Sequence, residues 1–317
     1  MGTDELDKAV RAVVRDCLAV KEGEEVLVVS DPVTQHVGER LREEAADAGG
    51  EAVLIIITER PMHGAEPPPT AAEAMAVADV LLVPTMQSLS HTAARKRASD
   101  NGARCATLPG VTEAMLGRVM SADMEGLRRK GHAVAEVLDS ASEAHITDAN
   151  GTDLRLDLSG REAIPDAGEL TERGAFGNLP CGEGFISPAG GDGTLVVDGS
   201  IAGIGLVTEP VELVVESGHL TSARGSQGMA LMELLTEHGE DGTHIAELGI
   251  GTNEKATLTG EILEDEKILG TCHIAFGASA GIGGTVQVPV HLDCVVMRPT
   301  VELDGEAIVR DGELLIP

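Results

Sequence analysis

The pattern of apolar and polar positions changes character before the middle of the chain. In the first part, short apolar runs alternate with amphipathic stretches such as 4–20 and 123–141, whose spacing predicts helices. The apolar runs include EVLVVS (25–30), EAVLIIIT (51–58) and DVLLVP (79–84). Uninterrupted runs of this length predict strands buried on both faces, which is typical of a parallel sheet. We therefore predict an α/β domain over residues 1–140.

Beyond residue 140, shorter runs with turn residues between them indicate a different architecture. Asn150-Gly151 and Asp304-Gly305 each separate two strand-like runs, and such pairs favour tight β-hairpins. One amphipathic stretch, 226–238, predicts a helix among these strands. We therefore predict an α+β domain with a mainly antiparallel sheet over residues 141–317.

The charge balance narrows the possible partners. Acidic residues outnumber basic ones 53 to 23, and the formal net charge is −30. Such a surface repels phosphate backbones, so we expect no nucleic-acid partner. The acids are spread along the chain, which suits strong screening by salt and predicts a halophilic source. The chain has no Trp and no Tyr, which disfavours base-stacking platforms.

The five cysteines and the apolar runs bear on location. The cysteines are scattered without a Cys-x-x-Cys pair, which is typical of a reducing compartment. The N-terminal residues resemble an amphipathic helix and not a signal peptide. No apolar run approaches the roughly 18 residues that a membrane span needs. We expect a cytoplasmic protein with no membrane partner.

The glycine-rich segment GASAGIG (277–283) resembles the phosphate loop of short-chain dehydrogenases. Such a loop needs a helix behind it to receive phosphate, whereas TVQVPVHLD follows here and predicts a strand. The tyrosine that those enzymes use is absent from this chain. We predict that this segment binds no nucleotide.

His291 and Asp293 are two positions apart in an apolar run. In a strand, that spacing places both side chains on one face, with Leu292 and Cys294 on the other. An imidazole and a carboxylate on one face are candidate metal ligands, because buried charge needs a partner. The alternative is a solvated strand face, where this spacing arises by chance.

Two glutamates and a second histidine extend the candidate site. Glu183 stands in a Pro/Gly-rich stretch, and Glu247 lies among Ile245, Leu248 and Ile250. A buried glutamate needs a cation or a hydrogen-bonded partner, although a purely structural role satisfies that need equally well. Together with His273, His291 and Asp293, they form a mixed N/O donor set. Such a set suits one catalytic metal ion or two ions bridged by a carboxylate.

The order and spacing of four pieces resemble the aminopeptidase T/aminopeptidase S metallopeptidases. The pieces are NLPCGEGFISP (178–188), AELGIGTN (246–253), EDEKILGTCHIAFG (264–277) and VHLDCV (290–295). The resemblance implies two domains, a paired metal site in the second domain and a homodimer that encloses the active site. It also implies a set of metal ligands, which are Glu183, Glu247, His273, His291 and Asp293.

Two departures and a related branch leave the reaction open. Ser279 and Ala280 occupy the region where the peptidases carry a tyrosine, and this chain is shorter than those enzymes. A related branch resembles ring-cleaving dihydroxypyridine dioxygenases, which hold one Fe(II) with two histidines and an aspartate. In that branch a histidine replaces the glutamate of the AELGIGTN segment. By this criterion, Glu247 favours the hydrolase.

The preferred hypothesis is a metal-dependent aminopeptidase that releases N-terminal residues from small peptides. Two ions of Zn, Co or Mn would activate a water molecule, and Glu183 or Glu247 would act as the catalytic proton shuttle. One alternative is a mononuclear Fe(II) ring-cleaving dioxygenase. Another is a non-catalytic homologue that retains the fold.

Overall fold

The computed structural model describes residues 3–316, and the chain divides into two compact units. The first unit extends to Met124 and includes the later segment Gly168–Cys181, while the second contains Glu125–Ala167 and the chain from Gly182 onward. The chain therefore enters each unit twice, whereas the sequence pattern predicts one boundary after residue 140. That boundary stays a prediction.

The helices and strands follow in chain order. The α-helices of the described residues are α1 (Thr3–Arg11), α2 (Gln35–Asp47), α3 (Pro69–Met75), α4 (Ala93–Asn101), α5 (Glu113–Val119), α6 (Met124–Ser140), α7 (Gly225–Thr236) and α8 (Ile262–Asp265). The strands are β1 (Glu25–Ser30), β2 (Glu51–Ile56), β3 (Val80–Val83), β4 (Arg104–Thr107), β5 (Glu143–Thr147), β6 (Asp153–Asp157), β7 (Ala163–Asp166), β8 (Phe176–Asn178), β9 (Glu183–Ile186), β10 (Gly190–Val197), β11 (Ser200–Ile201), β12 (Gly205–Leu206), β13 (Val211–Glu216), β14 (His219–Ala223), β15 (Ile245–Gly251), β16 (Cys272–Gly277), β17 (His291–Val296), β18 (Thr300–Leu303), β19 (Glu306–Arg310) and β20 (Glu313–Leu314).

The first unit contains a parallel sheet, as its apolar runs predict. Its strand order is β2-β1-β3-β4-β8, and each neighbouring pair is parallel. The strands β3 and β4 are buried along their whole length, which explains the continuous apolar character of β3. The strand β2 is less buried than the pattern predicts, because it lies at the sheet edge and exposes Val53 and Ile56.

The second unit contains two antiparallel sheets, which confirms the predicted change of architecture. One sheet has the order β14-β13-β10-β6-β5-β18-β19-β20. The other, which we call the ligand sheet, has the order β12-β11-β17-β16-β15-β9-β7. The hairpins predicted at Asn150-Gly151 and Asp304-Gly305 are present as β5–β6 and β18–β19. Within residues 3–316, no helix combines the length and apolarity that crossing a membrane requires.

One face of the ligand sheet is apolar and belongs to a core that it shares with the larger sheet. Its contribution to this buried cluster includes Ile186, Leu248, Ile250, Ile274, Phe276, Cys294 and Val296. Burying each large aliphatic side chain stabilises the fold by roughly 1.5–3 kcal/mol. A one-residue slip of any of these strands would bring the opposite, charged face into the core. The apolar face therefore fixes which side chains form the site.

Candidate metal centre

The opposite face of the ligand sheet brings all five sequence-predicted residues together. Directly paired residues on neighbouring strands project to the same side of a sheet. The relevant pairs in the structure are Gly251 with Glu183, Gly249 with His273, Ala275 with both Glu247 and Asp293, and Gly277 with His291. The same-face prediction for His291 and Asp293 agrees with this register. Whether the five residues act as ligands stays a prediction.

Glycines on this face provide the space that the ligand side chains need. A Cβ atom on Gly249 would lie 2.1 Å from His273 Nε2, so the imidazole lies across the bare backbone of that residue. On Gly251, a Cβ would lie 2.0 Å from the carbonyl oxygen of Ile268. Both glycines of the Gly-x-Gly pair at 249–251 lie in β15 and make room beside the site.

Glu247 connects the two histidines. His273 Nε2 lies 3.3 Å from Glu247 Oε1, and His291 Nε2 lies 3.3 Å from Glu247 Oε2. His273 Nε2 is also 3.2 Å from Glu183 Oε2, and His291 Nε2 is 3.4 Å from Asp293 Oδ1. Each imidazole nitrogen thus faces two carboxylate oxygens.

The hydrogen bond of His291 fixes how its ring faces the carboxylates. Its Nδ1 atom lies 2.7 Å from the carbonyl oxygen of Ala278, and a carbonyl can only accept. Nδ1 therefore carries a proton, and in a neutral ring the lone pair of Nε2 points at Glu247 and Asp293. Two acceptors cannot stabilise one another, so a proton or a metal ion must lie between them. This is the arrangement expected of a metal-ligating histidine.

Buried charges shift the pKa values of these groups. Burial lowers the pKa of His273, but Glu183 and Glu247 outweigh that effect and raise the pKa to about 9. Burial likewise opposes protonation of His291, yet Asp293 and Glu247 raise its pKa well above the usual value. Burial alone would raise the pKa of Glu247, while hydrogen bonds from both histidines bring it well below its usual range. Without metal, imidazolium ions hold the cluster together.

A divalent metal fits this set of donors. The cluster contains three overlapping triads. Within each triad, the three ligand atoms all lie within 4.8 Å of one another. The triads are Glu183–Glu247–His273, Glu247–His291–Asp293 and Glu266–His273–Asp293. Imidazole with carboxylate is a donor combination that divalent first-row metals accept. The ring nitrogen His273 Nδ1 is buried and has no hydrogen-bond partner in residues 3–316.

Sequence reasoning missed three charged residues of this cluster, which are Glu266 in one of the triads and Lys267 and Asp166 beside them. Lys267 is only 1% exposed, and its Nζ lies 2.5 Å from Glu183 Oε1 and 2.8 Å from Glu266 Oε1. Its third neighbour is Asp166 Oδ2 at 3.1 Å, without hydrogen-bond geometry. The signal that could have found two of them is the segment EDEKILG, in which one of only six lysines precedes an apolar run.

The fold and this centre define a class of protein in which an antiparallel sheet carries a buried imidazole–carboxylate cluster suited to a divalent metal. The family model described as 2,5-dihydroxypyridine 5,6-dioxygenase (NicX) matches residues 5–316. The chain therefore belongs to that family.

Individual relatives agree with the family assignment. The 2,5-dihydroxypyridine 5,6-dioxygenase of Pseudomonas putida KT2440 is 25% identical over 265 residues, which cover 78% of this chain and 74% of that protein. A solved structure of the 2,5-dihydroxypyridine dioxygenase from the same organism superposes with a TM-score of 0.84 at 21% identity, over 100% of this chain and 99% of the other. Wild-type AmpT from Thermus thermophilus shares the fold with a TM-score of 0.72 at 18% identity, over 99% of each chain.

The family assignment overturns the preferred functional hypothesis. The prediction of a metallo-aminopeptidase, a hydrolase acting on peptides, was wrong, and the dioxygenase alternative is the one that the family supports. The resemblance to aminopeptidase T extends to the fold alone. Glu247 was a misleading criterion, because the chain belongs to the dioxygenase family although it carries this glutamate. The homodimer stays a prediction.

Proposed function

We propose that this protein is a ring-cleaving dioxygenase that opens a dihydroxylated pyridine, with 2,5-dihydroxypyridine as the reference substrate. The observation that carries the proposal is the convergence of His273, His291 and Asp293 around Glu247. The family match over nearly the whole chain supports the reaction class.

The proposed cofactor is Fe(II), held among His273, His291, Asp293 and Glu247. Two histidines and a carboxylate with open positions are the donors typical of non-haem Fe(II) oxygenases. When bound, Fe(II) supplies the redox chemistry with O2 that amino-acid side chains lack. The Ala278 carbonyl keeps His291 Nε2 directed toward the metal position by holding the proton on Nδ1.

The exposure of the two histidines indicates where substrate approaches. The His291 side chain is 20% exposed, whereas the His273 side chain is 1% exposed. A ring that reaches the centre therefore meets the side of His291 and Asp293 first. His273 lies on the closed side and acts as a positioning and ligating group.

Phe185 is positioned to contact a planar substrate. It is directly opposite Gly249 and lies two residues after Glu183, so it shares the face of the ligand residues. It is half-buried in a chain whose aromatic residues are three phenylalanines. An aromatic face of this kind stacks on flat rings with offset or edge-to-face geometry.

The test is turnover of the reference substrate by protein loaded anaerobically with Fe(II). We expect O2 uptake and loss of 2,5-dihydroxypyridine absorbance in a one-to-one ratio. The same preparation should release nothing from an amino-acid p-nitroanilide. Protein that contains Fe(II) but consumes neither O2 nor substrate would contradict the proposal. Hydrolysis of the anilide would instead support the peptidase hypothesis.

The matched control separates the centre from the rest of the chain. His291→Ala should abolish turnover because it removes a ligand. His36→Ala should retain turnover, because His36 is an exposed residue of α2. Among the ion pairs of the described residues, its partner is Glu113.

A further inference from the structure

Lys267 is a buried ammonium group that the proposed reaction does not use. It follows α8 and is 1% exposed, whereas other lysines such as Lys96 and Lys255 are 69% and 47% exposed. A buried lysine persists only where negative charge compensates for its desolvation. Its position therefore depends on the carboxylates around it.

Those carboxylates are also neighbours of the metal centre. Lys267 Nζ contacts Glu183, Glu266 and Asp166, and Asp166 is paired directly with Glu183 across β7 and β9. Glu183 uses Oε1 for the lysine and directs Oε2 at His273 Nε2, 3.2 Å away. One carboxylate thus connects the ammonium group to the histidine.

The three candidate triads differ in their contact with the lysine. Glu183 belongs to one triad and Glu266 to another, so Lys267 contacts a member of each. The remaining triad, Glu247–His291–Asp293, has no ion pair with Lys267 in the described residues. The Lys267 ammonium group is therefore the cation on one side of the cluster. On the other side, Glu247, His291 and Asp293 are available to bind a metal ion.

We propose that the Lys267 ammonium group takes the place of a second metal ion, so that the five-residue set binds one divalent ion per chain. Glu183 then serves as the lysine's partner and positions His273, while the ion binds on the side of Glu247, His291 and Asp293. This inference rests on the metal centre of the proposed function. According to this inference, Lys267 determines whether the cluster binds one ion or two.

The test counts Mn(II) ions bound per chain after equilibrium dialysis, with no turnover involved. Wild-type protein should bind one ion. Lys267→Met keeps most of the length of the side chain and removes its charge, so Glu183, Glu266 and Asp166 become available and the variant should bind two. Lys267→Arg should bind one, because it keeps the charge. The matched control Lys255→Met alters a lysine paired with Glu254 at 4.0 Å and should also bind one.

Two results would overturn the inference: two ions in wild-type protein, or one ion in folded Lys267→Met. If that variant does not fold, Mn(II) binding to a Glu183→Gln variant of the otherwise wild-type protein tests the inference. Loss of a positioning partner typically weakens metal binding by about 10–100-fold, whereas loss of a ligand weakens it further. We expect one ion with Kd raised less than about 100-fold, and a larger rise would show that Glu183 is a ligand. A protein that binds one Mn(II) but does not open pyridine rings would refute only the proposed reaction.

Discussion

The two sides of the carboxylate cluster differ in the cation that balances them. On one side, Lys267 is 1% exposed among three carboxylates; on the other, His291 is 20% exposed between two. Burial lowers the pKa of Lys267, but Glu183, Glu266 and Asp166 outweigh it and raise that pKa well above its usual value. An ammonium group held this way keeps its proton, whereas an imidazole releases its proton to bind metal. Similar carboxylates therefore form an ion pair on one side and the proposed exchangeable metal site on the other.

The largest effect expected from disturbing the exchangeable side comes from His291→Ala. The variant loses one proposed ligand and leaves Asp293 and Glu247 without their buried partner, so metal affinity should fall by more than about 100-fold. Elemental analysis after dialysis measures the retained metal. Metal retained at the wild-type level would place the ion elsewhere.

On the side of the ion pair, Lys267→Ala should destabilise the metal-free protein by about 3–5 kcal/mol, because it leaves buried carboxylates uncompensated. Urea denaturation followed by circular dichroism measures this change. Lys255→Ala provides the comparison at an exposed position, where substitutions stay within about 0.5 kcal/mol. Equal stability of the two variants would show that Lys267 does not hold its side together.

Gly249→Ala tests the space beneath His273. The added Cβ would meet His273 Nε2 at 2.1 Å, so the imidazole must move away from Glu247. Metal affinity should fall by about 10–100-fold, as for the loss of an orienting contact. Gly190→Ala is the control, because a Cβ there meets nothing within 4 Å. Calorimetric titration of both variants with Mn(II) separates the two cases.

The smallest effect is a pH dependence confined to the metal-free protein. Folding raises the pKa of His273 to about 9. The folded state therefore binds more protons at this group than the unfolded state does, so its stabilisation is lost as pH rises through that value. Stability should fall by on the order of 1–3 kcal/mol between pH 6.5 and pH 9.5. Saturating Mn(II) should reduce the loss, because the metal replaces the protons; a loss unchanged by Mn(II) would contradict this account.

Much of the architecture follows from local patterns. The runs 25–30 and 79–84 predicted β1 and β3, and the Asn-Gly and Asp-Gly pairs predicted two hairpins, because strand and turn geometry depend on adjacent residues. The strand β8 was not predicted, because Phe176–Asn178 is three residues long and pairs with the distant β4. Its place in the parallel sheet depends on the tertiary fold.

The sequence alone predicted five candidate donor residues and, for His291 and Asp293, their shared face, since a period of two places these two on one side of a strand. It did not determine the reaction, because the same imidazoles and carboxylates serve hydrolysis and oxygenation. Only the tertiary structure decided that Glu247 contacts both histidines and that Lys267 lies among Glu183, Glu266 and Asp166. Those contacts depend on the register between β9, β15, β16 and β17, which is set by hydrogen bonds and core packing of residues far apart in the chain.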